Sequence, residues 1–292
     1  MQRKTLVIIG AGGRLGGALV RRYSKTHNVI AMRRADLDLL QLDRIRPALA
    51  DLDFDVVIYT AGVTGVDYCE DHEDEAFLSN SDAPKIIAEI CLEKGARFIH
   101  FSTDYVFDGE NPIALKETDE AQPVSVYGHS KRAGEKAVLD VSPDFLVIRV
   151  SWVFGPDRPS FPDMILQRAL EQDRVEAIAD KVSCPAYTED LAEWIEPMLD
   201  DKRYSGLLHL SNSGATTWQD YGQKILDIAA KLGLPIKARI VHPILRKDLT
   251  AFKAIRPQFT AFDLSKYKEL SGQTPRPWEE AMEDYIKLKY VS

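Results

Sequence analysis

The sequence predicts an α/β fold built on a doubly wound parallel sheet, followed by a smaller α/β unit at its C-terminal end. Three observations carry that prediction. The chain opens with a short β-branched run, Thr5-Leu-Val-Ile-Ile9, that passes straight into glycines and then into a helical pattern. Apolar strand-like runs and helical stretches keep alternating as far as about Gly155, the rhythm of parallel strands joined by crossover helices. Beyond Gly155 the alternation loosens, which marks a change of architecture.

Taken in order, Thr5–Ile9 reads as a buried parallel strand, and Leu15, Leu19, Val20 and Tyr23 fall at helix spacing just after it. Between them lies Gly10-Ala-Gly12-Gly13-Arg14-Leu15-Gly16. Strand, glycine-rich turn and helix are the context in which a Rossmann-type dinucleotide site forms, because backbone N–H groups at the helix start can cradle a pyrophosphate. The spacing here is Gly-x-x-Gly-x-x-Gly, and a plain β-α turn is the competing reading. A second strand, Asn28–Met32, runs into Arg33-Arg34, where NAD enzymes place an acid on the ribose 2′-hydroxyl. Two guanidiniums there, with Arg14 in the glycine loop, suit a 2′-phosphate, so NADP(H) is preferred and NAD(H) stays open. Asp38, beside Leu39, is placed to accept a hydrogen bond from the adenine amine.

A third strand over 55–60 runs into Ala61-Gly62-Val63, small residues that leave room for a cofactor over the sheet edge. One long helix is expected around Glu73–Glu93, carrying Asn80. Arg97–Phe101 is a further strand with Ser102-Thr103-Asp104-Tyr105 at its carboxyl end, where chemistry collects in an open α/β sheet. Tyr127 and Lys131 then stand four residues apart at the start of a helical pattern and share one face. A cation held near a phenol favours the phenolate and makes the tyrosine a usable acid or base. Taken alone, that pair is equally at home on a solvated helix surface. Phe145–Arg149 is one more strand and delivers Ser151-Trp152 to the same edge, Trp152 serving either as a flat face for a ligand ring or as a core residue.

The domain division expected is a cofactor-binding unit over 1–155, rejoined by about 183–213, with 156–292 mainly substrate-binding. Helices are expected over Ser160–Gln172, from 185–190 to Leu199, near Trp218–Leu232 and near Trp278–Tyr290, with Gly206–Leu210 rejoining the main sheet. A net charge of −8 and a pI near 5.4 argue against nucleic acid or an anionic membrane as the main partner. A small anionic substrate needs only a local basic pocket. Cys69, Cys91 and Cys184 are widely spaced, as in a reducing compartment, and no long apolar run is present, so a cytoplasmic location is expected. The six histidines show no metal-ligand spacing, and no metal is expected.

Together these segments resemble the extended short-chain dehydrogenase/reductase family, and within it the dTDP-4-dehydrorhamnose reductase branch. The resemblance rests on Ser102-Thr-Asp-Tyr-Val-Phe-Asp-Gly109, Tyr127-Gly-His-Ser-Lys-Arg-Ala-Gly-Glu135 and Arg149-Val-Ser-Trp-Val-Phe-Gly155. Gly10–Gly16, Val66-Asp67 with Glu70, Asn80, Pro185 with Asp190-Leu-Ala192, and Arg256-Pro257 support it. The chain departs from the branch at Asp180-Lys-Val-Ser-Cys-Pro-Ala186, usually Asp-Gln-x-Gly-x-Pro-Thr, at Tyr68, usually Lys, and at Asp38-Leu-Leu-Gln41. The first two departures fall where the resemblance places the sugar and its pyrophosphate.

The resemblance implies NADPH-dependent reduction of a keto group on a nucleotide-linked deoxysugar. Tyr127 would protonate the developing alkoxide, Lys131 would lower the tyrosine pKa and bind the nicotinamide ribose, Thr103 would hold the carbonyl oxygen, Asp104 would tune the site, and Trp152 would face the sugar. Asn80 would support the geometry rather than move protons. Two alternatives use the same residues. One is an epimerase or dehydrogenase of another sugar or nucleotide sugar; the other is a non-catalytic NADP-binding subunit like the β subunit of methionine adenosyltransferase. A homodimer is left open.

Overall fold

The computed structural model describes residues 3–248 and 252–291. Its centre is a six-stranded sheet whose paired neighbours all run parallel. The first five strands are β1 (Thr5–Ile9), β2 (Asn28–Met32), β3 (Val56–Tyr59), β4 (Arg97–Thr103) and β5 (Leu146–Val150). Gly206–His209 supplies the sixth by pairing with β5, and the spatial order is β2-β1-β3-β4-β5 followed by that strand. The strand order reverses between β1 and β3, and ligands of open α/β sheets bind outside the carboxyl ends at such a point.

Because strand side chains alternate, each strand feeds two cores. Leu6 and Ile8 of β1, with Val56, Ile58, Ile99 and Ile148, pack on helix α1 (Arg14–Tyr23) and the Thr188–Ile195 helix. Val7 and Ile9, with Val57, Tyr59, Phe98 and Val147, pack on the Ala83–Lys94 helix through Ile87 and Cys91. Burial on both faces is why these strands read as unbroken apolar runs. A third core, around Phe154, Ile165, Tyr221, Ile225, Trp278 and Tyr285, belongs to the C-terminal elements.

The expected single helix over 73–93 is instead two α-helical pieces, Glu73–Phe77 and Ala83–Lys94, joined by a π turn at Leu78–Asp82. Pro84 lacks the N–H that would bond the carbonyl of Asn80 in a regular helix. The widened turn turns Ser79 O toward Tyr59, whose hydroxyl donates to it at 2.6 Å. Gly134 of the Val126–Val141 helix packs against the same turn so tightly that a Cβ there would lie 2.0 Å from Asn80 O. Further along, Thr188–Ile195 gives way to a 3-10 turn at Glu196–Leu199, where Pro197 interrupts the expected helix. No helix among the described residues is long and apolar enough to cross a membrane.

Candidate active site

A cleft of about 960 Å³ runs along the carboxyl edge of the sheet. At one end, β1 turns at Gly10 with φ +89°, and the N–H groups of Gly10 and Ala11 both donate to Met32 O (2.9 and 3.0 Å) at the end of β2. A Cβ on Gly10 would lie 2.6 Å from Ala61 N, so only glycine lets the ends of β1 and β3 approach this closely. Helix α1 starts after Gly13, which offers its first turn no side-chain cap, and Gly12, Gly13, Arg14 and Leu15 line the cleft. Uncapped N–H groups at a helix start are a cradle for a pyrophosphate, so the loop fits a dinucleotide.

Arg33, Arg34, Asp38 and Leu39 line the cleft beyond the end of β2, and Ala61, Gly62 and Val63 line it beyond β3. Asp38 is already engaged: Leu40 N donates to its Oδ1 (3.3 Å), and Arg34 Nε lies 3.8 Å from the same oxygen. Arg14 departs from expectation. Its guanidinium donates to the carbonyls of Val153 (3.1 Å), Arg158 (3.2 Å) and Pro159, so its side chain clamps the 153–159 segment onto α1 and is not free for a phosphate. Asp157 in that segment also pairs with Arg21.

The residues expected to be catalytic line the same cleft. Thr103 ends β4, Asp104 opens the 3-10 turn that follows, and Tyr127 and Lys131 project from one face of the Val126–Val141 helix. That helix is set by its cap, with Ser125 Oγ accepting from Gly128 N (3.2 Å) and Glu70 accepting from Val126 N (3.0 Å). Asn80 bonds Val63 through both amide ends (3.0 and 2.9 Å) and donates to Ser130 Oγ (3.0 Å), tying the β3 loop to the tyrosine helix. Lys131 Nζ donates to Phe101 O (2.6 Å), and burial lowers its pKa to about 8, with Glu135 one turn on acting in the opposite sense. Burial also works against the Glu135 carboxylate, but two 2.7 Å bonds from Arg149 and the Arg149 charge more than offset it.

Tyr127 is where the electrostatic expectation changes. Burial dominates and pushes the phenol above its ordinary pKa, with a hydrogen bond to Thr103 opposing it. The lysine does not draw it down here, so the phenol stays protonated through neutral pH. Asp104 lies beneath this pair. Its Oδ1 accepts from Thr103 Oγ1 (3.2 Å), while Oδ2 accepts from Thr260 Oγ1 (2.6 Å) and Ser183 Oγ (3.1 Å). Lys181 is fully buried nearby, donates to Pro257 O (2.8 Å) and lies 4.8 Å above the Tyr105 ring; burial lowers its pKa to about 8, opposed by Asp104. Two of the residues that depart from the branch pattern thus sit by Asp104: Ser183 bonds its carboxylate, and Lys181 acts on it as a buried charge. A further departure, Tyr68, stacks on His72 (3.8 Å) while its neighbour Asp67 pairs with Arg256, which lowers the Asp67 pKa to about 2.

Trp152 lines the cleft with a φ of +41°, the single non-glycine residue with positive φ among those described. A bulky residue held there is strained, and such strain collects at functional edges. Its ring packs on Trp218 (5.6 Å) and Tyr221 (6.0 Å), which in turn pack on Phe161 (5.7 and 5.4 Å). It therefore joins the C-terminal core and the cleft wall at once. Sequence reasoning missed Phe161, Trp218, Tyr221 and Arg158 as lining residues. The three-residue spacing of Trp218 and Tyr221 puts both on one helix face, but nothing local says which cleft that face meets.

A glycine-loop cradle at a sheet switch point, converging with a Thr–Tyr–Lys set, defines a nicotinamide-dinucleotide oxidoreductase of the short-chain dehydrogenase/reductase type. A family model described as the RmlD substrate binding domain matches residues 4–291. The chain is 33% identical over 287 residues to a dTDP-4-dehydrorhamnose reductase of Mycolicibacterium smegmatis, covering 96% of this chain and 84% of that one. It is 30% identical over 285 residues to the spore coat polysaccharide biosynthesis protein SpsK of Bacillus subtilis, covering 97% and 96%. A crystal structure of dTDP-4-dehydrorhamnose reductase from Bacillus anthracis in complex with NADP superposes with a TM-score of 0.90 at 26% identity, covering 98% and 99% of the two chains. The chain belongs to the RmlD family.

Proposed function

We propose that the protein reduces the keto group of a nucleotide-linked deoxysugar with NADPH, the reading best supported by Tyr127 and Thr103 meeting at the cleft centre opposite the glycine loop. The glycine-loop N–H groups would hold the cofactor pyrophosphate, Arg33 and Arg34 would face its adenosine end, and Lys131 would hold the nicotinamide ribose. When bound, NADPH supplies the hydride. With substrate present, the single Thr103 O–H would turn from Asp104 Oδ1 to the carbonyl oxygen and fix its direction toward Tyr127. Tyr127, kept protonated by burial, gives its phenolic proton to the oxygen as negative charge develops there, since an alkoxide is the stronger base. Lys131, on the same helix face, would steady the phenolate left behind once it forms. Asp104, pinned by Ser183 and Thr260, holds the threonine hydroxyl in place until substrate arrives. The aromatic wall from Trp152 to Trp218 takes the sugar and its nucleotide and keeps water from the reacting carbon.

The relatives named as dTDP-4-dehydrorhamnose reductases favour a dTDP-4-keto-6-deoxyhexose as substrate. Lys181 and Ser183 are the residues by which this chain could prefer a different sugar. We place the protein in the cytoplasm, with the 1–155 and 183–213 segments as the cofactor unit. The test is to mix the pure protein with NADPH and a panel of keto-sugar nucleotides and follow the loss of reduced-cofactor absorbance. Oxidation only with a ketosugar nucleotide supports the proposal; no oxidation with any of them, while NADPH binds, replaces it with the regulatory-subunit reading.

A further inference from the structure

Arg158 sits where no sequence motif would look for a cofactor ligand. It is exposed on the segment after Gly155, yet a Cβ on Gly12 would lie 3.7 Å from its Nη2 and 3.7 Å from Arg33 Cγ. The Arg158 guanidinium and the aliphatic stem of Arg33, one from each part of the chain, therefore meet beside the same glycine. Neither has a carboxylate partner among the described residues, whereas Arg34 has Asp38. Two cationic side chains that border one glycine without a carboxylate partner can both pair with a bound anion. The arrangement is held from behind: Arg14 donates to the carbonyls of Val153, Arg158 and Pro159, and Arg21 pairs with Asp157.

We infer that Arg158 and Arg33 together grip the 2′-phosphate of NADPH, with Arg14 as a positioning residue that holds the Arg158 segment against α1. This rests on the NADPH reading above and assigns its phosphate selectivity to a residue outside the glycine-loop and β2 motifs. The position favours the 2′-phosphate over the pyrophosphate. The pyrophosphate belongs over the first turn of α1, while Arg33 follows β2, where the adenosine ribose lies in this fold. A guanidinium pair is also the side-chain chemistry that best matches a phosphate dianion. NADPH binding would then bring the segment that follows Trp152 into contact with the cofactor half of the cleft.

Isothermal titration of the wild type and of Arg158→Gln with NADPH, NADH, 2′-AMP and 5′-AMP tests it. Arg158→Gln removes an exposed charge and should fold normally. NADPH and 2′-AMP should each weaken roughly ten- to a hundredfold, while NADH and 5′-AMP stay within about twofold. Arg158→Lys should recover part of the loss. An equal loss for NADPH and NADH would assign Arg158 to the shared pyrophosphate and overturn the proposal, as would no change in any ligand. If the wild type itself binds NADPH no better than NADH, the NADPH reading has failed first, and the titration shows that separately.

Discussion

The two halves of the cleft are built on different principles. The cofactor half comes from consecutive residues: Gly10 to Leu15 in one turn, Arg33 and Arg34 directly after β2, and Ala61 to Val63 directly after β3. The substrate half is assembled from afar, with Trp152, Phe161, Trp218 and Tyr221 in the wall and Asp104, Ser183 and Thr260 in the network behind Thr103. Backbone N–H groups bind what all dinucleotides share, so a short motif suffices there. Recognising one sugar among many takes side chains from several segments, and those segments can change while the motif stays. The departures at Lys181 and Ser183 lie by the network of the second half, and those at Leu39, Leu40 and Gln41 lie in the cofactor half, so neither half is free of change.

The comparison is sharpened most by Tyr127→Phe, which deletes one oxygen at the point where the halves meet. Turnover should fall by a factor of about 10²–10⁴ while the NADPH dissociation constant stays as in the wild type, because positioned proton transfer is lost and ring packing is kept. Lys131→Met should harm turnover comparably and weaken NADPH binding as well, since the lysine serves both halves. A Tyr127→Phe enzyme with wild-type turnover would show that the proton comes from elsewhere.

Next in size, Arg33→Asp should narrow or reverse the NADPH preference by roughly one to two decades and leave the Michaelis constant for the sugar nucleotide nearly unchanged. Its counterpart in the other half is Trp152→Ala, which should raise that Michaelis constant while NADPH affinity holds. If Trp152→Ala instead loses about 3–5 kcal/mol of stability and unfolds, its place in the C-terminal core outweighs its place in the wall. Denaturant titration separates the two outcomes.

The smallest effect uses one buried lysine from each half. Lys131 and Lys181 have folded-state pKa values near 8, below the ordinary lysine value. The unfolded chain therefore binds more protons than the folded one above pH 8, and these lysines make stability rise with pH. Buried thiols such as Cys69 and Cys184, raised to about 11, reverse the trend once the unfolded thiols ionise near pH 9. Between pH 8 and 9 each lysine should contribute about 1 kcal/mol of rise. Lys181→Met should lower the rise measured by urea unfolding at the two pH values by about 1 kcal/mol; an unchanged slope would mean that Lys181 keeps an ordinary lysine pKa in the native protein.

What could be read from the chain follows the same division. The parallel strands were legible because burial on both faces leaves continuous apolar runs, and Gly206–His209 joined the sheet where its apolar run implied. The 73–94 segment has helical periodicity throughout, so a π turn within it was invisible; only Pro84 and the tight packing of Gly134 on Asn80 explain it. Arg14 reads as a partner of Arg33 and Arg34 on a 2′-phosphate, yet its hydrogen bonds go to carbonyls about 140 residues away. The Tyr127–Lys131 spacing puts both on the helix face that lines the cleft but says nothing of its electrostatics, since burial depends on everything packed around the helix. Of the aromatic wall only Trp152 was legible, because its other members, Phe161, Trp218 and Tyr221, come from two further helices whose aromatic residues read as ordinary core.

The most direct measurement of the central claim, that the two halves meet for hydride and proton transfer, is isotope transfer. NADPH deuterated on the transferring face of its nicotinamide is incubated with a dTDP-4-ketosugar and either wild-type or Tyr127→Phe protein, and the sugar is examined by mass spectrometry. The account predicts a reduced sugar carrying one deuterium, one oxidised cofactor for each sugar formed, and little or no labelled sugar from Tyr127→Phe over the same interval. An epimerised sugar with no net cofactor oxidation, or a wild type that binds NADPH and transfers no deuterium to any ketosugar nucleotide, would contradict it.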